Sequence, residues 1–464
     1  MLKKMLFQLG RHTSVVKGLC LILGMTVIGD VAFGQEYRVG TGRREITPVG
    51  SIYLSGYAAR MKPSEGVEQP IYARALVLED SKGQKGVFVS IELVGVTRDF
   101  TESIAARLKA KWGVERSGFL LVATHTHCGP AVDGSIPGLL PLTDEDALVI
   151  KRHTEKMADL VCSAVDEAMT RLEPVRLSYG RGQADFAFNR RVFTSNGVDF
   201  GVNPEGPVDR EVPVLRAESL KGEVRAIVFG YACHATTLGG DFNRVHGDWP
   251  GAATKYLETV YPGATAFFLT GCGGDANPQP RGKISDVDAH GLEMAGAVAG
   301  IVSRPMTEIS GLFKATFEYA QLELDTPPGR EVFLERLKSS DIYVQRHARR
   351  NLDRLDRGET LPRAYAEPVQ IWRFGKDLTV VAMGGEVVVD YALRLKRELS
   401  SERLWVAAYA NDVFAYIPSA RTLLEGGYEA ETSMLFYDFP SRWSMTTEET
   451  LLQKVKDLCH QMSH

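Results

Sequence analysis

The sequence predicts an α/β protein, a single domain with a mixed β-sheet core flanked by helices and a metal site in loops at strand ends. Three observations carry that expectation. Short apolar runs of strand length alternate with helical periodicity along the chain. No internal repeat or low-complexity linker divides them. Each histidine- or glycine-rich motif directly follows an apolar run, which is where open α/β sheets place their sites.

In chain order, "ARALVLED" (73–80), "GVFVSIEL" (86–93) and "GFLLVAT" (118–124) read as buried strands. Between the second and third, "DFTESIAARLKAKW" has helical spacing, with an acidic first turn and basic later turns. A longer helix is expected over 144–171. Strands recur at "EVPVLRAES", "VRAIVFGYA" and "TAFFLTG", a helix at 289–301, and an alternating strand at "ATFEYAQLELD". The charged stretch 330–357 reads as a helical, solvated face. Strands "VQIWRFG", "LTVVAMGG" and "LWVAAYA" follow, with the helix "VVVDYALRLKREL" between the second and third.

The 464 residues are 44% hydrophobic and 24% charged, enough apolar mass for a large core. A net charge of −4 with no basic run excludes the electrostatic footprint of a nucleic-acid binder. Lys3, Lys4, Arg11 and Lys17 precede the apolar "GLCLILGMTVIGDVAFG", and Ala32 and Gly34 offer a small-residue cleavage site. Residues 1–34 therefore read as an export signal and 35–464 as the mature domain, periplasmic or extracellular. Asp30 and the interspersed glycines weaken the segment as a membrane span.

Six cysteines become five once Cys20 leaves with the signal, and their spacing is no disulfide framework. Cys162 and Cys459 lie in helix-like segments. Cys128, Cys233 and Cys272 each adjoin a motif, which predicts that they gather around one pocket.

Five motifs carry candidate chemistry. In "LLVATHTHCGPAVDG", strand periodicity sends His125 and His127 to one face, where they could share a metal or divide metal binding and substrate orientation between them. A strand cap beside a surface histidine is the alternative. In "FGYACHATTLGG", His234 follows a strand in the same way, and "RVHGDWPG" adds His246 and Asp248 before a helix. In "FFLTGCGGDANPQPRG", Gly271, Gly273 and Gly274 surround Cys272 ahead of Asp275, a backbone able to approach a ligand closely. No P-loop ending is present, and Cys272 is either a nucleophile or a packed small residue. Glu386 follows a Gly-Gly break before a helix, as a ligand or as a complement to the helix dipole. Tyr416 lies in a loop after a strand, where a buried, satisfied hydroxyl is the plainer reading. Two imidazoles, a carboxylate and an open position make a hydrolytic zinc site.

"VGTGRREITP", "ATHTHCGP", "FNRRV", "YACHATT", "GDWPGAA", "GGDANP", "PVQIWRFG…GGE" and "NDVFAYIPS…GGYEAE" occur in this order. Together they resemble the N-terminal catalytic domain of the neutral ceramidases, zinc amidohydrolases that cleave the amide of N-acylsphingosine. The resemblance implies that Zn2+ is held by His125, His234, Glu386 and Tyr416. It implies His127 and Arg190 beside the scissile amide, a site loop with Cys272 and Asp275 among its catalytic positions, and a backbone lining from Gly40, Gly42 and Gly271. Zinc-activated water would attack the carbonyl, with Arg190, His127 and backbone N–H groups stabilising the oxyanion.

Three positions depart from the family pattern. Gly271 and Cys272 stand where the family loop has a serine-asparagine pair, and Cys128 stands where a serine usually follows the second histidine. The sequence also ends soon after Tyr416, so the β-sandwich that follows in longer members is expected to be missing. The leading expectation is thus an exported zinc amidohydrolase acting on ceramide or a related lipid, with peripheral contact to a membrane surface. A zinc hydrolase of a polar or sugar-linked amide or ester, and a non-catalytic binder on the same scaffold, are the alternatives.

Overall fold

A computed structural model of the protein describes residues 37–400 and 403–462. The export signal expected over 1–34 lies outside the described residues. In chain order the first strands are β1 (Tyr37–Glu45), β2 (Tyr72–Glu79), β3 (Lys85–Ile91), β4 (Phe119–Ala123), β5 (Glu173–Gln183), β6 (Ala187–Thr194), β7 (Gly197–Asn203), β8 (Glu211–Ser219) and β9 (Val224–Tyr231). They continue with β10 (Thr265–Thr270), β11 (Ala276–Pro278), β12 (Thr307–Ile309), β13 (Phe313–Glu323), β14 (Ala364–Phe374), β15 (Leu378–Met383), β16 (Glu386–Val387), β17 (Leu404–Ala407) and β18 (Tyr416–Ile417).

The large sheet runs β10-β9-β8-β5-β1-β2-β3-β4, with β12 paired to β5. It is mixed: β3–β4 and β9–β10 are parallel, and the other pairs are antiparallel. Side chains alternate across it. Leu76, Leu78 and Val228 face a second sheet, β13-β14-β15-β17, while Ala75, Val77, Ile227 and Phe229 face helices. Those helices are α1 (Arg98–Trp112), α2 (Asp144–Thr170), α3 (Asp248–Val260) and α4 (Ile284–Val302). Thr143 and Asp146 close a capping box at the start of α2, and Thr97 caps α1, so the sequence fixes where both begin.

The charged stretch 330–357 is two helices, α5 (Arg330–Arg336) and α6 (Ile342–Asp356), because Asp341 caps Tyr343 and restarts the chain. It is only partly a solvated face: α6 buries His347, Ala348, Asn351 and Leu352. Helices α7 (Val389–Glu398), α8 (Ala420–Glu425), α9 (Met434–Tyr437) and α10 (Thr447–Gln461) complete the order, with α7 and α10 packed on the second sheet.

One feature of this topology builds the site. The edge strands β4 and β10 are joined at their carboxyl ends by segment 408–411. Ala408 donates to the carbonyl of Thr270 at 2.9 Å, Asn411 donates to that of Leu121 at 2.7 Å, and Ala123 donates to that of Tyr409 at 3.2 Å. The loops leaving β4, β9, β10, β15 and β17 therefore converge.

Candidate metal centre

His125 and His127 lie beyond the end of β4, in the loop rather than in the strand. What turns His125 inward is a left-handed backbone, φ 63°, not strand alternation, while Thr126 bridges Ala235 of the loop after β9. His125 Nδ1 donates to the carbonyl of Val94, which turns Nε2 toward the other donors. His127 Nε2 lies 3.1 Å from that atom. The His127 ring is walled by Tyr57, 4.8 Å away between centroids, and by Gly56. Gly56 has φ +106°, and a Cβ there would meet Nδ1 of His127 at 2.4 Å.

His234 is oriented in the same manner. Nδ1 donates to the carbonyl of Gly273 at 2.7 Å, and its backbone is held by Ala276 at 3.0 Å and by Trp249 Nε1 at 2.9 Å. Burial, with the Arg190 guanidinium alongside, pushes its imidazole down to about 3, so it is neutral at physiological pH. Burial, with His125 and His234 alongside, also holds His127 well below the usual imidazole range.

Glu386 and Tyr416 are register partners in the two-residue parallel pair β16–β18, which sets carboxylate and phenol side by side. Glu386 Oε2 lies 3.0 Å from His125 Nε2 and 3.1 Å from His234 Nε2, and the Tyr416 hydroxyl lies 3.1 Å from His234 Nε2. The histidines and Glu386 are buried, and Tyr416 is 3% exposed.

This donor set fits a cation. His234, neutral and with its Nδ1 donating to a carbonyl, has no hydrogen to offer the carboxylate that faces it. Separations of 3.0–3.1 Å match the edge of a tetrahedron of N and O ligands around zinc, about 3.3 Å. Ligand atoms of His125, His127 and His234 all lie within 4.8 Å of one another. Glu386 Oε1, facing away, accepts a hydrogen bond from Tyr437.

Arg190 borders the donors, with Nη1 3.2 Å from His234 Nε2 and Nε donating to Glu429 at 2.7 Å. Nη2 is buried without a partner. Arg191 pairs with the other oxygen of Glu429 at 2.6 Å. A cavity of about 220 Å³ opens beside these residues and Tyr428.

A sequence profile of the family described as "Neutral/alkaline non-lysosomal ceramidase, N-terminal" matches residues 37–292, more than half of the chain. The chain belongs to this ceramidase family. Among relatives, the neutral ceramidase of Pseudomonas aeruginosa is 28% identical over 246 residues, 52% of this chain and 36% of that protein. That of Drosophila melanogaster is 28% identical over 283 residues, 56% and 38% respectively. The aligned chain thus spans well under half the length of these relatives. The crystal structure of the Pseudomonas aeruginosa neutral ceramidase superposes with a TM-score of 0.71 at 19% identity, covering 92% of this chain and 75% of that one. A ceramidase complexed with C2 superposes at 0.70. These superpositions establish a shared ceramidase fold.

Within this ceramidase-family site, five sequence expectations take different roles. Gly40 and Gly42 do not reach the histidines: they lie within β1, where a Cβ would meet the carbonyl oxygens of Ala168 and Ala164 at 2.0 and 2.1 Å. They let α2 press on the sheet. Gly271 serves a similar packing role against Ala232, 3.1 Å from where its Cβ would be. Cys272 is no nucleophile in this fold. It is fully buried in the apolar core, and burial raises its thiol well above the usual range. Asp275 is a positioning residue: its carboxylate accepts from Asn189 at 3.0 Å and from the N–H of Val389 at 2.9 Å, and its carbonyl accepts from Arg190 at 2.8 Å. Asp275, not Glu386, therefore answers the N-terminus of α7.

The three motif cysteines do not share a pocket. Cys128, Cys233 and Cys272 are buried in three separate apolar clusters. Sequence reasoning missed Tyr437, Glu429, Tyr57 and Gly56. Glu429 lies in the "GGYEAE" stretch already singled out, and Gly56 and Tyr57 lie in the "LSGYAARM" loop, whereas nothing local marks Tyr437.

Proposed function

We propose that this protein is an exported zinc-dependent amidohydrolase that cleaves the N-acyl amide of ceramide or a related lipid to a sphingoid base and a fatty acid. The observation that carries the reading is the convergence of the Nε2 atoms of His125 and His234 on Glu386 Oε2 at 3.0 and 3.1 Å, with Tyr416 alongside. Membership of the ceramidase family supports the same bond type.

His125, His234, Glu386 and Tyr416 would hold the zinc, which supplies a Lewis acid and a water-derived nucleophile near neutral pH. Val94 and Gly273 fix the ring tautomers, as carbonyls that can only accept. Arg190, anchored by Glu429, keeps Nη2 free to donate to a carbonyl oxygen as it gains charge. His127, neutral and walled by Gly56 and Tyr57, is placed to take and return a proton. The near-complete burial of these groups excludes bulk water and strengthens each interaction.

One observation favours a second reading within the same chemistry. The cavity beside Arg190 is small and is bordered by Arg191, Asp199 and Glu429, which suits a short or polar acyl group better than a long one. Purified protein offered ceramides of graded acyl length, with chelation and zinc add-back, tests both. Chelator-sensitive release from any of them supports amide hydrolysis, and its chain-length profile separates lipid from polar substrates. No release from any ceramide, with zinc bound, would move the activity to polar amides or esters. Among the described residues no helix is long and apolar enough to cross a membrane.

A further inference from the structure

A cleft of about 680 Å³, lined by none of the site histidines, lies between the start of α1, α2 and the loops after β4 and β17. That volume is in the range of small-molecule sites. Its floor is apolar, formed by Phe100, Ile136, Val413, Phe414 and Phe439. Ile136 holds a left-handed backbone, φ 47°, which a β-branched residue adopts only under constraint from its surroundings.

The charges around this floor are unequal. Both cations are committed: Arg98 pairs with Asp412 at 3.3 Å and lies over the rings of Tyr319 and Tyr365, and Arg107 pairs with Asp159 at 2.9 Å. Asp99 sits in the first turn of α1 and answers that helix N-terminus. Asp133 and Glu155 are exposed, line the cleft and have no ion-pair partner among the described residues. The segments that carry them are joined, since the N–H of Asp133 donates to Oγ1 of Thr154, the neighbour of Glu155, at 3.0 Å. An apolar floor beside two uncommitted carboxylates complements a cation carried on an apolar body.

We propose that this cleft binds an amphiphilic amine, its ammonium group against Asp133 and Glu155 and its alkyl chain over Phe100, Val413 and Phe414. Tyr437 also lines the cleft, and its hydroxyl donates to Glu386. An occupant therefore touches a residue that holds the metal-facing carboxylate. Resting on the proposed amide-hydrolase function, the released long-chain base is a ligand of this class.

The test is calorimetric titration of the full chain at pH 7 with octylamine, octan-1-ol and octanoate, with and without chelator. Octylamine should bind one to one in both states, at least tenfold tighter than the alcohol or the acid. The exposed pair substitution Asp133→Asn with Glu155→Gln should weaken octylamine at least tenfold and leave octanol binding and the melting temperature unchanged. Equal affinity for octanol, no effect of the pair substitution, or no binding at all would overturn the proposal. Loss of octylamine binding in His234→Ala, a residue that does not line the cleft, would also overturn it, because the amine would then lie at the histidines. Since no turnover is needed, failure of amide hydrolysis leaves this result readable.

Discussion

Tyr437 and Glu386 are joined by a hydrogen bond in which the phenol donates to Oε1, leaving Oε2 to face the histidines. The carboxylate is thus fixed from behind by a residue that touches no histidine. Removing the hydroxyl in Tyr437→Phe should lower zinc affinity about 10–100-fold while the fold persists. Competition with a chromophoric chelator, alongside circular dichroism, measures both.

Glu386→Gln should do more. Loss of the carboxylate charge beside the imidazoles is expected to reduce zinc affinity by more than about 100-fold and to abolish turnover with it. Elemental analysis of the dialysed protein checks the metal. A variant that retains stoichiometric zinc would remove Glu386 from the ligand set.

Cys272→Ala should leave turnover intact and destabilise the fold by about 1–3 kcal/mol, the effect of a small core truncation. Native protein should also resist alkylation at Cys272. Rapid modification of that thiol with loss of activity would restore it as a nucleophile.

Gly56→Ala places a methyl group into the His127 ring at a φ that disfavours any side chain. Turnover should fall while bound zinc is retained, since the histidines facing Glu386 are 125 and 234. Metal content and rate measured on one preparation decide it.

Across pH 4 to 6 the ionisation of Asp412 and Asp275 should subtract stability, opposing the buried histidines, whose lowered values favour the fold as pH rises. Burial pushes the carboxyls of Asp412 and Asp275 up to about 6, against an unfolded value near 4. A raised folded pKa stabilises the protonated form, so the contribution is full below the unfolded value and is lost as pH rises through 6. Each group accounts for roughly 3 kcal/mol. Asp412→Asn should remove about half of this carboxyl contribution, read in urea melts as a pH-dependent difference from the parent protein across the window. An unchanged slope would show that Asp412 ionises normally.

Much of the fold was legible because strand periodicity is a local signal: the apolar runs near 73, 86, 119, 224 and 265 became strands of the large sheet. The candidate ligands were legible because each follows such a run, and the sheet topology brings His125, His234, Glu386 and Tyr416 together. What failed was non-local. The glycines at 40 and 42 carry no mark of the helix that covers them, and Cys272 carries none of the core that closes over it. The hydroxyl of Tyr437 is significant only because distant chain segments bring it against Glu386. The turn at His125 was misassigned to strand alternation for a related reason: a left-handed residue is invisible to a two-residue period.

The proposed zinc ligands come from positions 125, 234, 386 and 416, and only the first two lie within the matched span 37–292. Closing such long loops is slow, so a competent set of donors assembles only after both ends of the chain have docked. Ion capture at these residues would then be a late event in maturation: a chain cut or stalled before Glu386 would keep two imidazoles yet lack the charge that retains a divalent ion. Loading with metal would, in effect, certify a finished molecule.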